Sequence, residues 1–220
     1  VQYDIEWVRG AVEDVKEDGG GNIRIHPNGF IQVDLQPVEE NWRASHHKGH
    51  SGASLRLHIW NPPGFALPRQ ETHNELHTHV FDMHSSIIKG TMQQRIYSLV
   101  VGSEWHEHRG VSASAMKVKL YKAVYGKASD SRLEDTGIRG LAVQDFTWGI
   151  SAGQSYTQPA HTFHDSDARN CVVTIMEKTE IHPGDAYVLV PTNIEPDNEF
   201  DRASASTPEY LWAAVKAALA

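Results

Sequence analysis

Apolar positions recur along the first stretch of the chain with helical spacing. Ile5, Val8, Val12 and Val15 are three, four and three residues apart, which predicts an amphipathic helix over 3–16, ended by Gly19-Gly20-Gly21-Asn22. The period then changes to two. Ile31, Val33 and Leu35 alternate with Gln32, Asp34 and Gln36, and Leu55, Leu57 and Ile59 alternate with polar neighbours up to the Asn61-Pro62-Pro63-Gly64 turn. From there strands are expected at 77–81, 85–89, 91–101, 115–125, 143–150, 154–158, 170–177 and 186–190, punctuated by glycines. The polar piece 127–140 reads as an excursion from the sheet, and 197–206 as a flexible connector. Thr207-Pro208 opens a final helix, with Leu211, Trp212, Val215 and Leu219 on its apolar face.

Many short strands with no helices between them predict a mainly β fold, an antiparallel sandwich or barrel with one helix at each end. The expected organisation is one domain over 1–220. It has an N-terminal extension (1–53), a barrel core (54–191) and a C-terminal helix (207–220).

Composition narrows the function. The 220 residues carry 20 Lys+Arg against 28 Asp+Glu, a formal charge of −8, which disfavours nucleic-acid binding. No apolar run approaches the ~20 residues of a membrane span. One cysteine, Cys171, excludes an intrachain disulfide. With no signal-peptide pattern at the start, the expectation is a cytoplasmic protein. Phosphate-loop, dinucleotide-binding, nucleophile-elbow and zincin motifs are all absent. The nearest string to the zincin motif, His73-Asn74-Glu75-Leu76-His77, has Asn where the zincin base belongs.

The chain holds 14 His. On a strand, His77 and His79 project to one side and can reach one metal ion. A bare H-x-H is weak by itself, since about 0.9 are expected by chance at this composition. The chain's other one, His106-Glu107-His108, reads as an exposed turn. His46, His47 and His50 read as a solvated face.

The first pair has context. His77-Thr78-His79 is followed by an apolar run ending at Gly90, and the second half supplies Gly153, Pro159 and His164 in the order G-x5-P-x4-H. At these residues the sequence resembles the cupin superfamily, over about Leu55 to Val190. His161 stands where the second motif has its middle glycine, and Ala168 where it has its final Asn. The glutamate of the first motif is missing; Met83 and His84 occupy its spacing. The resemblance implies a double-stranded β-barrel with a metal held by His77, His79 and His164, like the three-His thiol dioxygenases. Fe(II) is the expected metal, with Zn, Ni, Mn or Cu also served by imidazole.

His84, Asp82 and Tyr97 are the expected acid–base residues, and His84 or Asp82 an added ligand. Arg95 and Gln93 share a strand face with Tyr97 and are expected to bind substrate if that face points inward. The opposite face, Gln94, Ile96 and Ser98, is the rival lining. Trp148 and Trp60 are expected to wall the pocket, and His161 to line its mouth. The expected function is a non-haem Fe(II) dioxygenase acting on a small polar substrate with O2. The alternatives are a redox-neutral metal cupin (isomerase, dehydratase or lyase) and a non-catalytic ligand-binding cupin. A homodimer through the N-terminal region is the expected assembly, on resemblance alone.

Overall fold

The computed structural model describes residues 3–17, 23–35, 55–67, 76–102, 115–125, 131–196 and 207–220. Helix α1 spans Ile5–Glu17 and helix α2 spans Pro208–Leu219, capped by the Thr207 hydroxyl accepting from the Tyr210 amide. Between them the described strands are β1 (Ile23–Ile25), β2 (Ile31–Leu35), β3 (Leu55–Trp60), β4 (Phe81–Lys89), β5 (Thr91–Val101), β6 (Met116–Val124), β7 (Arg132–Ser151), β8 (Ser155–Gln158), β9 (Phe163–Asp167), β10 (Val172–Ile181) and β11 (Ala186–Pro191). They form two antiparallel sheets, ordered β1-β2-β3-β10-β4-β8 and β11-β6-β7-β5-β9. Consecutive strands β4 and β5 lie in different sheets, as do β9 and β10, and the fold is a cupin-like β-barrel.

The alternation on β2 and β3 decides what each sheet face does. Ile31, Val33, Leu35, Leu55, Leu57 and Ile59 turn outward, where α1 and α2 cover them; with Val173, Ile175, Val8 and Leu211 they form the main hydrophobic cluster. A side-chain period of two then sends Gln32, Arg56, His58 and Trp60 to the barrel interior. The helices thus serve as the outer layer that lets the inner face carry polar groups. Arg9 on α1 donates to the Leu219 carbonyl and Lys89 Nζ donates to Ala218 O (2.8 Å), tying the end of α2 down.

Three expectations need correction. Residues 132–140 are not an excursion; they are the first half of β7, paired with β6 across a bulge at Thr136–Ile138. Their polarity reflects an exposed face, where Arg139–Asp135 and Arg132–Glu134 pairs lie, while Leu133 is buried inward. The segment 77–81 is not an ordinary sheet strand, because β4 begins at Phe81 and residues 76–79 do a separate job. Strands β1 and β9 were not expected. β9 reads Phe-His-Asp-Ser-Asp, a polar string that no alternation rule marks, and Arg95 on β5 bonds its two aspartates across the strands. The piece 127–130, the connector 197–206 and the histidines at 46, 47, 50, 73, 106 and 108 lie outside the described residues.

Candidate metal centre

Residues 76–79 are wedged between the two ends of the five-stranded sheet. On one side His77 N donates to His164 O (3.1 Å) and His164 N to His77 O (3.0 Å), joining β9. On the other, Thr78 N donates to Tyr187 O (2.8 Å) and Leu189 N to Leu76 O (2.9 Å), joining β11. The buried Thr78 hydroxyl accepts from the Tyr187 amide. The wedge closes this sheet on itself, and its period of two throws His77 and His79 inward beside His164.

The three imidazoles converge. Each offers one ring nitrogen, and the three nitrogens lie within 4.8 Å of one another. His77 Nε2 and His79 Nε2 are 2.8 Å apart. Two nitrogens bound to one metal at about 2.0–2.1 Å sit at close to that separation. His164 Nδ1 lies 3.0 Å from the Thr162 carbonyl oxygen, to which it donates, so Nε2 carries the lone pair toward the centre. His79 Nδ1 is buried with no hydrogen-bond partner. Burial holds all three imidazoles neutral. It pushes His77 down to about 4 and His164 to about 3, and His79 is also lowered, with the other two rings adding to the effect. Neutral, convergent and short of donors, this set fits a divalent cation.

The centre opens into a cavity of about 480 Å³ between the sheets. Among the described residues that line it there is no Asp or Glu. Met83, one of the two residues at the spacing of the first motif's glutamate, is buried and lines the cavity. Beside it a polar network runs through the barrel. Gln94 Nε2 donates to Tyr156 Oη (2.7 Å) and Ser166 Oγ (2.7 Å), and Gln94 is fully buried. Burial raises the Tyr156 phenol to about 12, so it stays protonated, against the opposing pull of Ser85, Gln94 and Ser166.

The other expected site residues are elsewhere. Met83, Ser85 and Ile87 point inward on β4, which turns Asp82 and His84 outward. His84 Nδ1 lies 3.4 Å from Thr157 Oγ1. Asp82 accepts from Ala160 N (2.7 Å) and pairs with His182 (3.1 Å); the backbone bond and His182 lower its carboxyl. On β5 it is Gln94 that faces in. Arg95, Gln93 and Tyr97 form an outer cluster with Asp165 and Asp167: Arg95 bonds both aspartates and the Gln93 oxygen, and Tyr97 Oη donates to Asp165 (2.9 Å). The pairing of Arg95 with Asp165, next to inward His164, sets this parity. Trp148 packs against the cluster of Ile87, Met92 and Ile150 and is not among the residues that line the cavity. Trp60 does line it.

His161 has an exposed side chain, outside the cavity lining, and takes a left-handed backbone (φ 57°), the region that favours glycine. Its amide donates to His79 O (2.7 Å), which steadies the wedge. Sequence reasoning missed Arg56, His58, Lys178 and Tyr156. The signal available was their place as the polar alternates of strands whose apolar alternates pack under helices.

No family model and no curated protein matches the chain. Solved structures do. One is a hydroquinone 1,2-dioxygenase, PnpCD, in complex with Cd2+ and 4-hydroxybenzonitrile, at TM-score 0.31 and 10% identity, covering 60% of this chain and 61% of that one. Another is the hydroquinone 1,2-dioxygenase from Sphingomonas sp. TTNP3 with 4-hydroxybenzoate bound, at TM-score 0.30 and 8% identity, covering 59% and 62%. The chain spans about three-fifths of the length of each. The described strands form a cupin-like β-barrel, with three imidazoles converging where residues 76–79 meet the edge strands.

Proposed function

We propose that the protein is a metal-dependent oxidoreductase of the non-haem Fe(II) dioxygenase type, with the metal held by His77, His79 and His164 and a small substrate bound in the barrel. The observation that carries this reading is the convergence of three neutral imidazoles in a cavity whose described lining holds no carboxylate. Bound there, a ferrous ion supplies redox chemistry and open positions for substrate and O2.

The chain's own residues do the rest. The wedge 76–79 fixes two ligands through backbone bonds to β9 and β11, and the Thr162 carbonyl orients the third. Met83, Met92, Phe30 and Trp60 keep water from the reacting groups. The Tyr156 hydroxyl, protonated and held by Gln94, is placed to hydrogen-bond a substrate oxygen.

The test is the metal content of untagged protein by elemental analysis, followed by oxygen uptake. One equivalent of iron and substrate-dependent O2 consumption is the expected outcome. Stoichiometric zinc or nickel that Fe(II) cannot replace with gain of oxygen uptake moves the reading to a redox-neutral metal cupin. No metal under any loading removes both.

A further inference from the structure

The barrel interior holds a second group of polar side chains, one inward layer along from the imidazoles. On β9, His164 and Ser166 are two residues apart and both line the cavity. A strand advances about 3.3 Å per residue, so Ser166 stands about 7 Å along the barrel from His164. Gln94 faces Ser166 across the strands, and Ser85 faces Tyr156. The first pair belongs to the five-stranded sheet and the second to the six-stranded sheet. The bond from Gln94 Nε2 to Tyr156 Oη (2.7 Å) therefore crosses the interior from one sheet to the other.

The protons of this group can be followed. Gln94 Nε2 has two, and its acceptors are Tyr156 Oη (2.7 Å) and Ser166 Oγ (2.7 Å), with Met92 Sδ (3.1 Å) the weaker third. Ser166 donates in turn to Gln94 Oε1 (3.0 Å). Gln94 is thus fully engaged, and it is buried behind the cavity lining rather than in it. Tyr156 differs. Its oxygen accepts from Gln94, so its own proton points away from Gln94 and is left for a neighbouring hydroxyl or for a ligand oxygen. Its ring packs against the cluster of Ile87, Met92 and Ile150, and the residue lines the cavity. The phenol is pushed up to about 12 by burial, which keeps that proton in place.

Tyr156, Gln94, Ser85 and Ser166 are all uncharged. Such a group suits an uncharged oxygen, since hydroxyls alone do not offset the desolvation of an ion. Much of the remaining lining is apolar, with Phe30 and Trp60 at 4.2 Å between ring centroids and Met83, Met92 and Met176 beside them in the lining.

We infer that this group recognises an uncharged acceptor oxygen, a carbonyl or hydroxyl on a small apolar body, which accepts from Tyr156 Oη while Gln94 is the positioning residue that aims this donor. That the ligand is the substrate rests on the metal-site reading; recognition of the oxygen stands on the hydrogen bonds themselves. An analogue lacking the oxygen is rejected because nothing in it replaces the bond to Tyr156.

The experiment is titration calorimetry of the metal-loaded protein with acetophenone and with α-methylstyrene, in which a CH2 group replaces the carbonyl oxygen. Following each ligand across variants cancels its own transfer from water. Tyr156→Phe is expected to weaken acetophenone at least five-fold and to leave α-methylstyrene within two-fold. Gln94→Leu is expected to weaken acetophenone at least three-fold, and to add nothing once Tyr156 is Phe. A Gln94 that only ties the sheets together would weaken both ligands alike in either background, and that result overturns its role. Infrared spectra give a second readout: the carbonyl stretch of bound acetophenone lies below its value in hexane in wild type and returns toward it in Tyr156→Phe. Should that variant fail to fold by circular dichroism, the stretch in wild type and in Gln94→Leu carries the test. His164→Ala, which empties the metal site, keeps the lowered stretch; its loss there would mean that the metal holds the oxygen, and overturns the inference. So do equal losses for the two ligands in Tyr156→Phe, no binding of either, or a wild-type stretch at the hexane value. Wild-type protein that takes up no metal yet shows the Tyr156-dependent preference supports the oxygen subsite and defeats the dioxygenase reading, so the two fail separately.

Discussion

His164 sits at the meeting of two roles, since its backbone bonds the wedge and its ring faces the centre. Replacing only the ring separates them. His164→Ala keeps both backbone bonds and is expected to retain the fold while metal content drops at least ten-fold, read by elemental analysis beside a circular dichroism spectrum. Stoichiometric metal in that variant would sink the three-imidazole site. His58 gives a different kind of prediction. Its folded value is about 3 against 6.5 unfolded, so the unfolded chain takes up a proton that the folded one refuses. Stability from this group is present above pH 6.5 and is lost as pH falls from there toward the folded value. Between pH 6.5 and 5.5 one such group costs about 1 kcal/mol. Urea denaturation at the two pH values is expected to show wild type losing about that much more than His58→Gln, with equal losses counting against a refused proton. At this scale the sequence was legible where pattern and motif coincide. His77, His79 and His164 were found by spacing and resemblance, and the structure brings their rings together. Arg56 and His58 stood out only as the polar alternates of β3, and the alternating string alone does not say which face meets the helices.

Element boundaries followed apolar periodicity well and failed where polarity had another cause. The helices and the strands β2, β3, β5, β6, β8, β10 and β11 appear close to where alternation or helical spacing puts them. β9 and the first half of β7 carry charge on strand faces open to solvent or paired across the sheet, and polar strings of that kind resemble loops. The parity of β4 and β5 turned on an unreadable choice: which face of each strand looks into the barrel. That choice sent His84, Asp82, Arg95, Gln93 and Tyr97 outward. The β4–β5 turn offers a test of the local chemistry. Gly90 and Gly102 both have left-handed backbones (φ 83° and 78°), yet a Cβ on Gly90 would run into the Cys171 carbonyl, while one on Gly102 meets nothing within 4 Å among the described residues. Gly102→Ala should cost about 1 kcal/mol from backbone strain alone. Gly90→Ala should cost roughly 3 kcal/mol or more, because a backbone oxygen must move as well. Thermal melts of the pair check this, and equal melting points would show that the turn yields freely.

Across the whole molecule, the seam of the five-stranded sheet and the candidate metal centre are one structure. An ion bound by His77, His79 and His164 clamps the wedge to β9, so it stabilises the folded chain alone and should raise its stability by mass action, by about 4 kcal/mol at a thousand-fold excess over Kd. Chelation is expected to lower the melting temperature and to speed hydrogen exchange at the His77 and His164 amides before those of the β2–β3 ladder. A uniform increase at all amides would break the link between ion and seam. Among the described residues no helix is long and apolar enough to cross a membrane.

The wedge also sets a timetable. A ribosome delivers His77 and His79 long before β9 and β11 exist to hold them, and His164 completes the trio only after most of the barrel has been made. In a nascent chain the histidine pair therefore precedes its frame, and the trio can converge only after synthesis has passed Leu189, whose amide bonds the Leu76 carbonyl. An ion held by all three imidazoles can therefore be held only by a chain whose barrel has already shut.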